Sequence, residues 1–376
     1  MCGHDEGRDD LRSALRKRCM ETVVTEGIIM GFLTAAGFVS SSLMCLTICR
    51  NAKFRRAIHM YILSYAMIDL LKSTLVMPLT FGVIVKGEWI SSGSVCQFQG
   101  YIISVLDIAT VFTMMLAAVG RYMANIHLAQ YLTLFKGKHV YGTLTVSWLI
   151  SLAVPLSFAI SGNDIYLHPG YGICREEVTN ASYLKASILK IIFSVLPFIT
   201  IAACFYGARV NMRRTYESAK LRAKEGRMVS TNTCREQEAT TRLFAALILG
   251  TVVFWVPSYI CEIVDAFTHE YCLPRSVYFV STLIANASCF TKPLIIAYMN
   301  EEFLVEFKRM LKLRKSRRIV AFDMAGNEQL DTKQKPIERR NKKYRCEMNI
   351  PDEDDINRTE SSAWKSNMFY ACRKSR

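Results

Sequence analysis

Seven apolar stretches, each of roughly 20 residues or more, recur along this 376-residue chain and constrain its fold more than any other feature. They lie near 24–49, 59–85, 95–119, 140–161, 184–208, 240–266 and 276–299. A helix of about 20 apolar residues crosses the hydrocarbon core of a bilayer, so each stretch predicts a transmembrane helix, or span. The sequence therefore predicts an all-α membrane protein whose seven-helix bundle occupies residues 24–299.

The basic residues between the spans indicate which ends face the cytoplasm. The first loop, CRNAKFRRAIH, and the third, from Arg209 to Arg242, are rich in lysine and arginine, whereas the loops on the other side carry few. Because these residues concentrate on the cytoplasmic side, both basic loops are predicted to be cytoplasmic. This places residues 1–23 outside the cell, although the segment RSALRKR within them is itself basic. The predicted location is the plasma membrane, crossed several times.

The chain changes character after the seventh span. From 300 to 315, apolar residues and cations alternate at helical spacing, which predicts a short amphipathic helix on the inner membrane surface. Residues 316–376 are charged and poor in apolar runs, which predicts a disordered cytoplasmic tail. The net charge of +15 lies in the loops and in FKRMLKLRKSRR, so it indicates contact with anionic membrane lipid and not with nucleic acid.

Two of the thirteen cysteines differ from the others in facing the outside. Cys96 opens the third span and Cys174 lies in the long outer loop, so an oxidising compartment favours a disulfide between them. Cys261 and Cys272 are a further candidate pair. Asn180 begins an Asn-Ala-Ser sequon on the same side and is a predicted glycosylation site.

The order of the other landmarks resembles the rhodopsin-like, class A G-protein-coupled receptors across all seven spans. The landmarks are LSYAMID with Asp69, KGEW with Trp89, Cys96, GRY at 120–122, Trp148, Pro197, FWVP with Trp255 and Pro257, and KP with Lys292 and Pro293. The strings AAVGRYM, VFWVP and IANASCF are similar in particular to the opsins and the neighbouring melatonin-type receptors, among them the placozoan opsin-like receptors that lack the retinal lysine. The resemblance implies a receptor that couples an outer or intramembrane ligand to a heterotrimeric G protein, with arrestin and a receptor kinase as further partners.

The positions that hold retinal in opsins are altered in this chain. The resemblance places the retinal-binding lysine seven residues before Pro293, where the chain has Asn286. An amide cannot form a Schiff base. The two counterion positions correspond to Gln99 and His168, and neither is a carboxylate. By resemblance the usual covalent retinal site is absent, and no cofactor is expected.

The resemblance assigns G-protein coupling to the inner ends of spans three and six. The residues concerned are Gly120, Arg121 and Tyr122, together with Glu238, which lies next to the position of the arginine's usual partner. Gly120 stands where the family has an acid that restrains the arginine. We therefore expect Arg121 to be less restrained and the receptor to be partly active without ligand.

Span seven carries a buried lysine, whose ammonium costs several kcal/mol in a bilayer unless another charge meets it. Counted at about 1.5 Å per residue, Lys292 lies at the depth of Asp69 in span two. In the family these positions face each other around a polar cavity that often holds a sodium ion, so we expect the ammonium to replace the ion and pair with Asp69. By resemblance Pro293 and Tyr298 complete this switch region, although the family's tyrosine position is Ile296 here.

A second pair of opposite charges lies nearer the outside. Lys72 is one turn outward of Asp69, and Asp107 is eleven residues, or about 16 Å, inward of Cys96. The two are expected to pair, either as a structural ion pair or as the floor of a ligand cavity.

The full predicted ligand cavity combines this pair with positions implied by the resemblance. It comprises Lys72, Gln99, Ile103, Asp107, Trp255, Tyr259 and Asn286. Ile103 stands where amine receptors have their aspartate, which argues against an amine ligand of the usual kind. Glu262 and Asp265, near the outer end of span six, are expected to be solvated.

Three other functions remain to be weighed. A light receptor could use Lys72 for the Schiff base, with Asp107 as its counterion, because a desolvated amine is deprotonated more readily. A transporter or channel could use Asp69, Lys72, Asp107 and Lys292 as a relay, but the odd number of spans and the lack of an internal repeat count against it. An enzyme is not predicted, since no HExxH, G-x-S-x-G or paired-histidine metal pattern occurs in the spans.

Overall fold

The computed structural model describes residues 4–51, 54, 57–127, 130–131, 137–160, 165–176, 181–224, 231–268 and 273–311, all within one compact unit. Span one is Met20–Arg50, span two Ala57–Leu71 and Met77–Lys86, span three Gly93–Ile126, span four Gly137–Ile160, span five Ala181–Lys224, span six Thr231–Thr268 and span seven Arg275–Met299. Among the described helices, those of every span except span five meet the length and apolarity needed to cross a membrane, and the predicted stretch 184–208 lies within span five. The all-α membrane prediction is confirmed. Asn180 and the tail 316–376 lie outside the described residues.

Span two is interrupted by a single π-helical turn, Lys72–Val76. Pro78 follows in the first turn of the next helix and has no N–H to donate into the turn before it. The hydroxyl of Thr74 donates to the Leu70 carbonyl at 2.8 Å, which satisfies a backbone group at the wider turn. Such turns interrupt the regular helix frequently at functional sites, and this one begins at Lys72, a predicted ligand residue.

A two-stranded antiparallel hairpin covers the start of span three. Its strands are β1, Ile165–His168, and β2, Ile173–Glu176. The predicted disulfide is present between Cys96 and Cys174, with the two Cα atoms 5.4 Å apart, and it ties β2 to span three. We refer to this end of the bundle as the disulfide end and to the opposite end as the Arg121 end.

Glycines allow the hairpin turn to approach span seven. Gly172 has a φ of 69°, in the left-handed region that side chains rarely adopt. A Cβ at Gly170 would lie only 2.5 Å from the Tyr278 ring. Gly172 thus allows the bend of the turn, and the missing side chain at Gly170 lets the turn pack against Tyr278 of span seven.

The chain before span one forms an additional helix, His4–Arg16, that the sequence analysis missed. Leu11 and Leu15, one helical turn apart, are both buried, and Leu11 packs against Tyr171 and Tyr278 at the disulfide end. Two apolar residues at this spacing within a charged segment are the signal of an amphipathic helix. The polar segment is therefore a structured cover over part of the disulfide end.

A buried carboxylate joins this N-terminal helix to the bundle. Glu26 of span one accepts hydrogen bonds from Arg18 at 2.5 Å and from both terminal nitrogens of Arg275 at 2.8 and 2.5 Å. Arg18 also donates to the carbonyl of Leu15 at 2.7 Å, the last turn of the N-terminal helix. One carboxylate thus holds span seven and the end of the N-terminal helix against span one.

At the Arg121 end the predicted amphipathic helix is confirmed as Glu301–Met310. The Asn300 side chain caps it by accepting from the backbone N–H groups of Glu302 and Phe303 at 3.0 and 3.5 Å. Phe303 is fully buried and stacks on Phe54, with the ring centroids 4.2 Å apart. This contact fixes the helix against the first inner loop.

Replacing Glu26 with glutamine should lower the stability of the bundle strongly. The change leaves Arg18 and Arg275 buried without a carboxylate, and breaking a buried ion pair by removing one partner costs about 3–5 kcal/mol. Thermal unfolding of the purified protein measures the effect. Glu88→Gln is the matched control, because Glu88 pairs with Arg16 where both side chains are exposed, and such pairs contribute at most about 1 kcal/mol. Equal melting temperatures for the two variants would contradict the role of Glu26.

Candidate functional site

The lysine of span seven lies beside the carboxylate expected from its depth. Lys292 Nζ is 2.7 Å from Asp69 Oδ1, and the two side chains are only 5% and 4% exposed. The ammonium also lies over the Tyr65 ring, 5.6 Å from its centroid. At 2.7 Å this is a charge-assisted hydrogen bond, among the stronger kinds in proteins. The pair is neutral as a unit, because the Lys292 ammonium supplies the positive charge that balances the Asp69 carboxylate.

A second ion pair lies one turn nearer the disulfide end. Lys72 Nζ is 3.5 Å from Asp107 Oδ1 and 5.6 Å from the centroid of the Trp255 ring. Their separation exceeds the roughly 2.7–2.9 Å of a charge-assisted hydrogen bond, so this pair is looser than the first. The Lys72 side chain is 13% exposed, whereas that of Asp107 is 36% exposed. The structure thus brings together a charged pair and an aromatic ring, with a carboxylate that remains accessible.

Two of the other predicted ligand residues have structural contacts instead. Gln99 is fully buried; its side-chain oxygen accepts from the Cys174 N–H at 2.9 Å, and its nitrogen donates to the Val76 carbonyl at 3.3 Å. Both ends of this amide are occupied, and they connect β2 and the π turn to span three. Ile103 packs in an apolar cluster with Ile68. These contacts put both residues in the core and not at an open surface.

The last two predicted ligand residues are placed differently from each other. The Tyr259 ring lies beside Trp255, with the centroids 6.1 Å apart, and therefore extends the aromatic surface next to Lys72. Asn286 is buried and its amide donates to Met30 Sδ of span one at 3.8 Å. The residue in place of the retinal lysine thus contacts span one.

Tyr298 does not lie beside the ion pair of the switch region that the sequence suggested. Its side chain is 91% exposed, whereas Ile296 and Pro293 are buried. Each residue turns an α-helix by about 100°, so a tyrosine displaced by two residues faces almost the opposite side. The switch role of Tyr298 stays a prediction, and its exposed side chain does not face the interior beside Asp69 and Lys292.

At the other end of span three, Arg121 is buried among aromatic groups. Its Nη2 donates to the Tyr131 hydroxyl at 3.1 Å, and its guanidinium carbon lies 5.8 and 5.9 Å from the ring centroids of Tyr131 and Phe244. The preceding residue, Gly120, is buried and offers no side chain. The arginine is therefore restrained by an aromatic hydroxyl and two rings, which the sequence analysis did not foresee.

The remaining predicted coupling residues lie apart from this contact. Glu238 pairs with Arg242 one turn along its own helix, so it is not a partner of Arg121. Tyr122 packs against span five, where a Cβ at Gly207 would lie 2.7 Å from its ring. The charge next to the family's partner position is therefore engaged locally.

An uncharged network joins three spans beside Arg121 and was also missed. The Asn125 side chain donates to the Arg121 carbonyl at 2.8 Å and to the Thr241 hydroxyl of span six at 3.2 Å. The Asn211 side chain of span five donates to the Asn125 carbonyl at 2.7 Å. Two asparagines at the ends of otherwise apolar helices were the available signal, because a buried amide needs partners.

A polar cluster at the disulfide end corrects the expectation that Asp265 is solvated. Asp265 is buried and accepts a hydrogen bond from the Tyr278 hydroxyl. His168 lies 3.9 Å away, measured from Nε2 to the Asp265 carboxylate. Its Nδ1 accepts from the N–H groups of Gly170 and Tyr171 at 3.2 and 3.4 Å. The hairpin and spans six and seven therefore meet through polar groups.

Burial, and secondly a nearby positive charge, set the protonation of the histidine. Glu262 is not simply solvated either, since it pairs with Arg175 of β2. Burial, together with the positive charge of Arg175, lowers the pKa of His168 to about 3. The imidazole is therefore neutral at physiological pH, in agreement with an unprotonated Nδ1. Cys261 nearby is a buried free cysteine, and Cys272 lies outside the described residues.

Comparison with known proteins defines the class of this chain. The profile of the 7 transmembrane receptor (rhodopsin family) matches residues 40–296, well over half of the chain. Squid rhodopsin has a similar structure, with a TM-score of 0.68 at 14% identity over 80% of this chain and 88% of that one. The chain belongs to the rhodopsin family of seven-transmembrane receptors. It is a multi-pass plasma-membrane protein that transmits a signal through a G protein, as receptors of this family do; they are generally not enzymes.

Relatives within the family differ in what their names say they bind. Galanin receptor type 1 of Rattus norvegicus is 22% identical over 293 residues, covering 76% of this chain and 82% of that protein. Melatonin receptor type 1B of Mus musculus is 24% identical over 74% of this chain and 75% of its own length. Octopamine receptor beta-1R of Drosophila melanogaster is 22% identical over 77% and 62%. Because the three relatives are about equally similar to this chain, they support its membership of the receptor family but do not indicate its ligand.

Asp69→Asn should destabilise the receptor, because it leaves the Lys292 ammonium buried without a counter-charge. The expected loss is roughly 3–5 kcal/mol in the free energy of unfolding, seen as reduced expression and a lower melting temperature. The double variant Asp69→Leu with Lys292→Met is the control, since an apolar pair in place of an ion pair is often neutral. If Asp69→Asn expresses and melts like the wild type, the pair does not hold the bundle together.

The buried neutral His168 is expected to make a smaller contribution to stability as the pH falls. An unfolded histidine has a pKa near 6.5, so between that value and the folded value of about 3 the unfolded state binds more protons and stability falls as pH falls. From pH 6.5 to 5 the contribution of His168 to stability falls by about 1.7 kcal/mol. Melting temperatures across this range measure it. His168→Asn, which keeps an acceptor for the two N–H groups, should flatten the profile; an equally steep profile would assign the effect to other groups.

Proposed function

We propose that this receptor binds a small polar ligand in the bundle interior at Lys72, Asp107 and Trp255, and transmits its arrival to a G protein at Arg121. The observation that carries the proposal is the contrast between the two ion pairs. Asp69 and Lys292 are closely bonded and almost fully buried, whereas Lys72 and Asp107 are 3.5 Å apart and Asp107 is 36% exposed. A loose pair beside an aromatic ring can exchange its internal contact for contacts with a ligand.

The charges favour a ligand that carries both signs or a strong dipole. A purely cationic ligand on Asp107 would leave the Lys72 ammonium without its counter-charge, and a purely anionic ligand on Lys72 would do the same to Asp107. An uncompensated buried charge is costly. A ligand that presents a cation to Asp107 and an acceptor to Lys72 meets both needs, and the Trp255 and Tyr259 rings offer an apolar surface for the rest of it.

The proposed orientation has the N-terminus and the disulfide end outside the cell. The Cys96–Cys174 disulfide supports this, since such bonds persist in oxidising compartments. The Arg121 end then faces the cytoplasm, where the basic loops suit an acidic, membrane-bound G protein and anionic lipid. Arrestin and a receptor kinase would act on the same side, and Asn180 would be glycosylated on the other.

We further propose that the receptor works without covalently bound retinal. Asn286 cannot form a Schiff base, and its amide contacts Met30. The second candidate function is a photoreceptor with a relocated site, because Lys72 already has a carboxylate beside it. In that case the Lys72 amine would condense with the retinal aldehyde to an imine and release water, and Asp107 would balance a protonated imine. A transporter is less well supported, because Asp69, Lys72, Asp107 and Lys292 form two separate neutral pairs and not a continuous relay.

Incubation of the purified receptor with 11-cis-retinal separates these functions. The expected result is no red-shifted, light-sensitive band in the absorption spectrum and no lysine trapped by borohydride. A trapped adduct on Lys72, lost in Lys72→Met, would overturn the diffusible-ligand proposal in favour of the relocated site.

The ligand class can be tested in cells that express the receptor. The cells are exposed to a panel of small cations, carboxylates and zwitterions, and G-protein activation is measured. We expect responses to compounds that carry both charges. Lys72→Met and Asp107→Asn should each raise the effective concentration about 10- to 100-fold, since a hydrogen bond to a charged group contributes about 1.5–3 kcal/mol. Ile103→Val, a small change in the core, is the control. Responses insensitive to both charge-removing variants would place the ligand elsewhere.

A further inference from the structure

Arg121 has no acidic partner in the part of the chain that the structure describes. The described groups that act on its guanidinium electrostatically are the tyrosines Tyr131 and Tyr61, and none is a carboxylate. Gly120 cannot supply one. The arginine is nevertheless held: Tyr131 accepts its hydrogen bond at 3.1 Å, and its guanidinium carbon lies 5.8 and 5.9 Å from the ring centroids of Tyr131 and Phe244. A hydroxyl therefore occupies the place of a counter-charge.

The helices around Arg121 are also connected by uncharged groups. Asn125 is one turn beyond Arg121 and bonds the Thr241 hydroxyl of span six at 3.2 Å, while Asn211 of span five bonds the Asn125 carbonyl at 2.7 Å. Thr241 is buried, so its bond to Asn125 is not exchanged freely for bonds to water. Any outward movement of span six would have to break it.

We propose that an uncharged lock, Tyr131 on Arg121 and Asn125 on Thr241, holds the receptor in its resting conformation in place of an acid–arginine pair. Tyr131 and Thr241 act as positioning residues: the first holds the arginine inward and the second keeps span six against span three. The proposal rests on the proposed function, in which the Arg121 end receives the G protein. It also revises the expectation drawn from Gly120, since the arginine is not unrestrained.

The strength of the lock sets the expected size of the effect. The bond between Asn125 and Thr241 is neutral, and the loss of such a bond shifts a two-state equilibrium roughly two- to tenfold. The bond from the Arg121 guanidinium to Tyr131 is charge-assisted, and its loss shifts the equilibrium roughly 10- to 100-fold. Tyr131→Phe removes only the hydroxyl and keeps the ring, and Thr241→Val keeps the shape of the side chain. Each variant should raise agonist-free activity by about the factor expected for the hydrogen bond that it removes.

The test is the rate of nucleotide exchange on purified heterotrimeric G protein by receptor in lipid nanodiscs without added ligand. We expect roughly a 10- to 100-fold increase for Tyr131→Phe and a two- to tenfold increase for Thr241→Val. The controls make the same chemical changes elsewhere: Tyr141→Phe at an exposed position of span four, and Thr200→Val, whose hydroxyl bonds only the carbonyl of Leu196 in its own helix among the bonds described. Both should exchange at the wild-type rate.

Rescue distinguishes a lock from general damage. Gly120→Asp places a carboxylate next to Arg121, so adding it to Tyr131→Phe should return exchange towards the wild-type rate, whereas a merely structural defect would not be repaired by a charge. If Tyr131→Phe leaves nucleotide exchange unchanged while Arg121→Ala alters it, or if Gly120→Asp lowers nucleotide exchange by the same factor with and without the Tyr131 hydroxyl, the lock is overturned.

Hydrogen exchange of spans five and six separates failure of the lock from failure of coupling. If Tyr131→Phe and Thr241→Val speed amide exchange near residues 205–215 and 238–248 but no variant, Arg121→Ala included, alters nucleotide exchange, the lock stands and the coupling role of Arg121 fails. If neither measurement changes, the lock fails.

Discussion

The buried ion pair between Asp69 and Lys292 is the interaction on which the rest of the bundle depends, because each group would be untenable in the membrane interior without the other. The 2.7 Å contact brings spans two and seven to a fixed depth relative to each other. With those two helices in register, Lys72 one turn further along reaches Asp107 of span three and the face of Trp255 in span six. The tightly bonded Asp69–Lys292 pair thus positions the looser Lys72–Asp107 pair.

Much of this arrangement could be predicted from the sequence because depth in a membrane is a simple function of residue count. Apolar length gave the spans, and counting along them placed Asp69 level with Lys292 and Lys72 near Asp107. The outer positions of Cys96 and its partner favoured the disulfide in the same way. All of these predictions concern the distance along the membrane normal. In a straight helix this distance follows directly from the residue number.

The failures concern the direction in which a side chain points and the contacts it makes. Counting gives the depth of a residue but not the direction of its side chain, so it did not reveal that the side chain of Tyr298 points away from the ion pair. Gln99 lies in the interior as expected, yet its amide is occupied by backbone groups of the hairpin and the π turn, which only tertiary structure brings there. Asp265 looked solvated because its tyrosine partner lies on another span. In the N-terminal helix only two leucines, Leu11 and Leu15, show helical spacing, and a pattern of two residues within a charged segment does not predict a helix on its own.

The π turn of span two has a consequence for what length of chain this fold accepts. A π turn accommodates about one residue more than an α-turn, and each residue of an α-helix rotates the next by about 100°. The outward part of the span, where Thr80, Val83 and Ile84 are buried, faces the bundle only with that extra residue in place. The number of residues between Asp69 and Gly87 is therefore fixed. Removing one residue would keep the ion pair but rotate the outer half of the helix by about 100°, which would carry its buried side chains towards lipid.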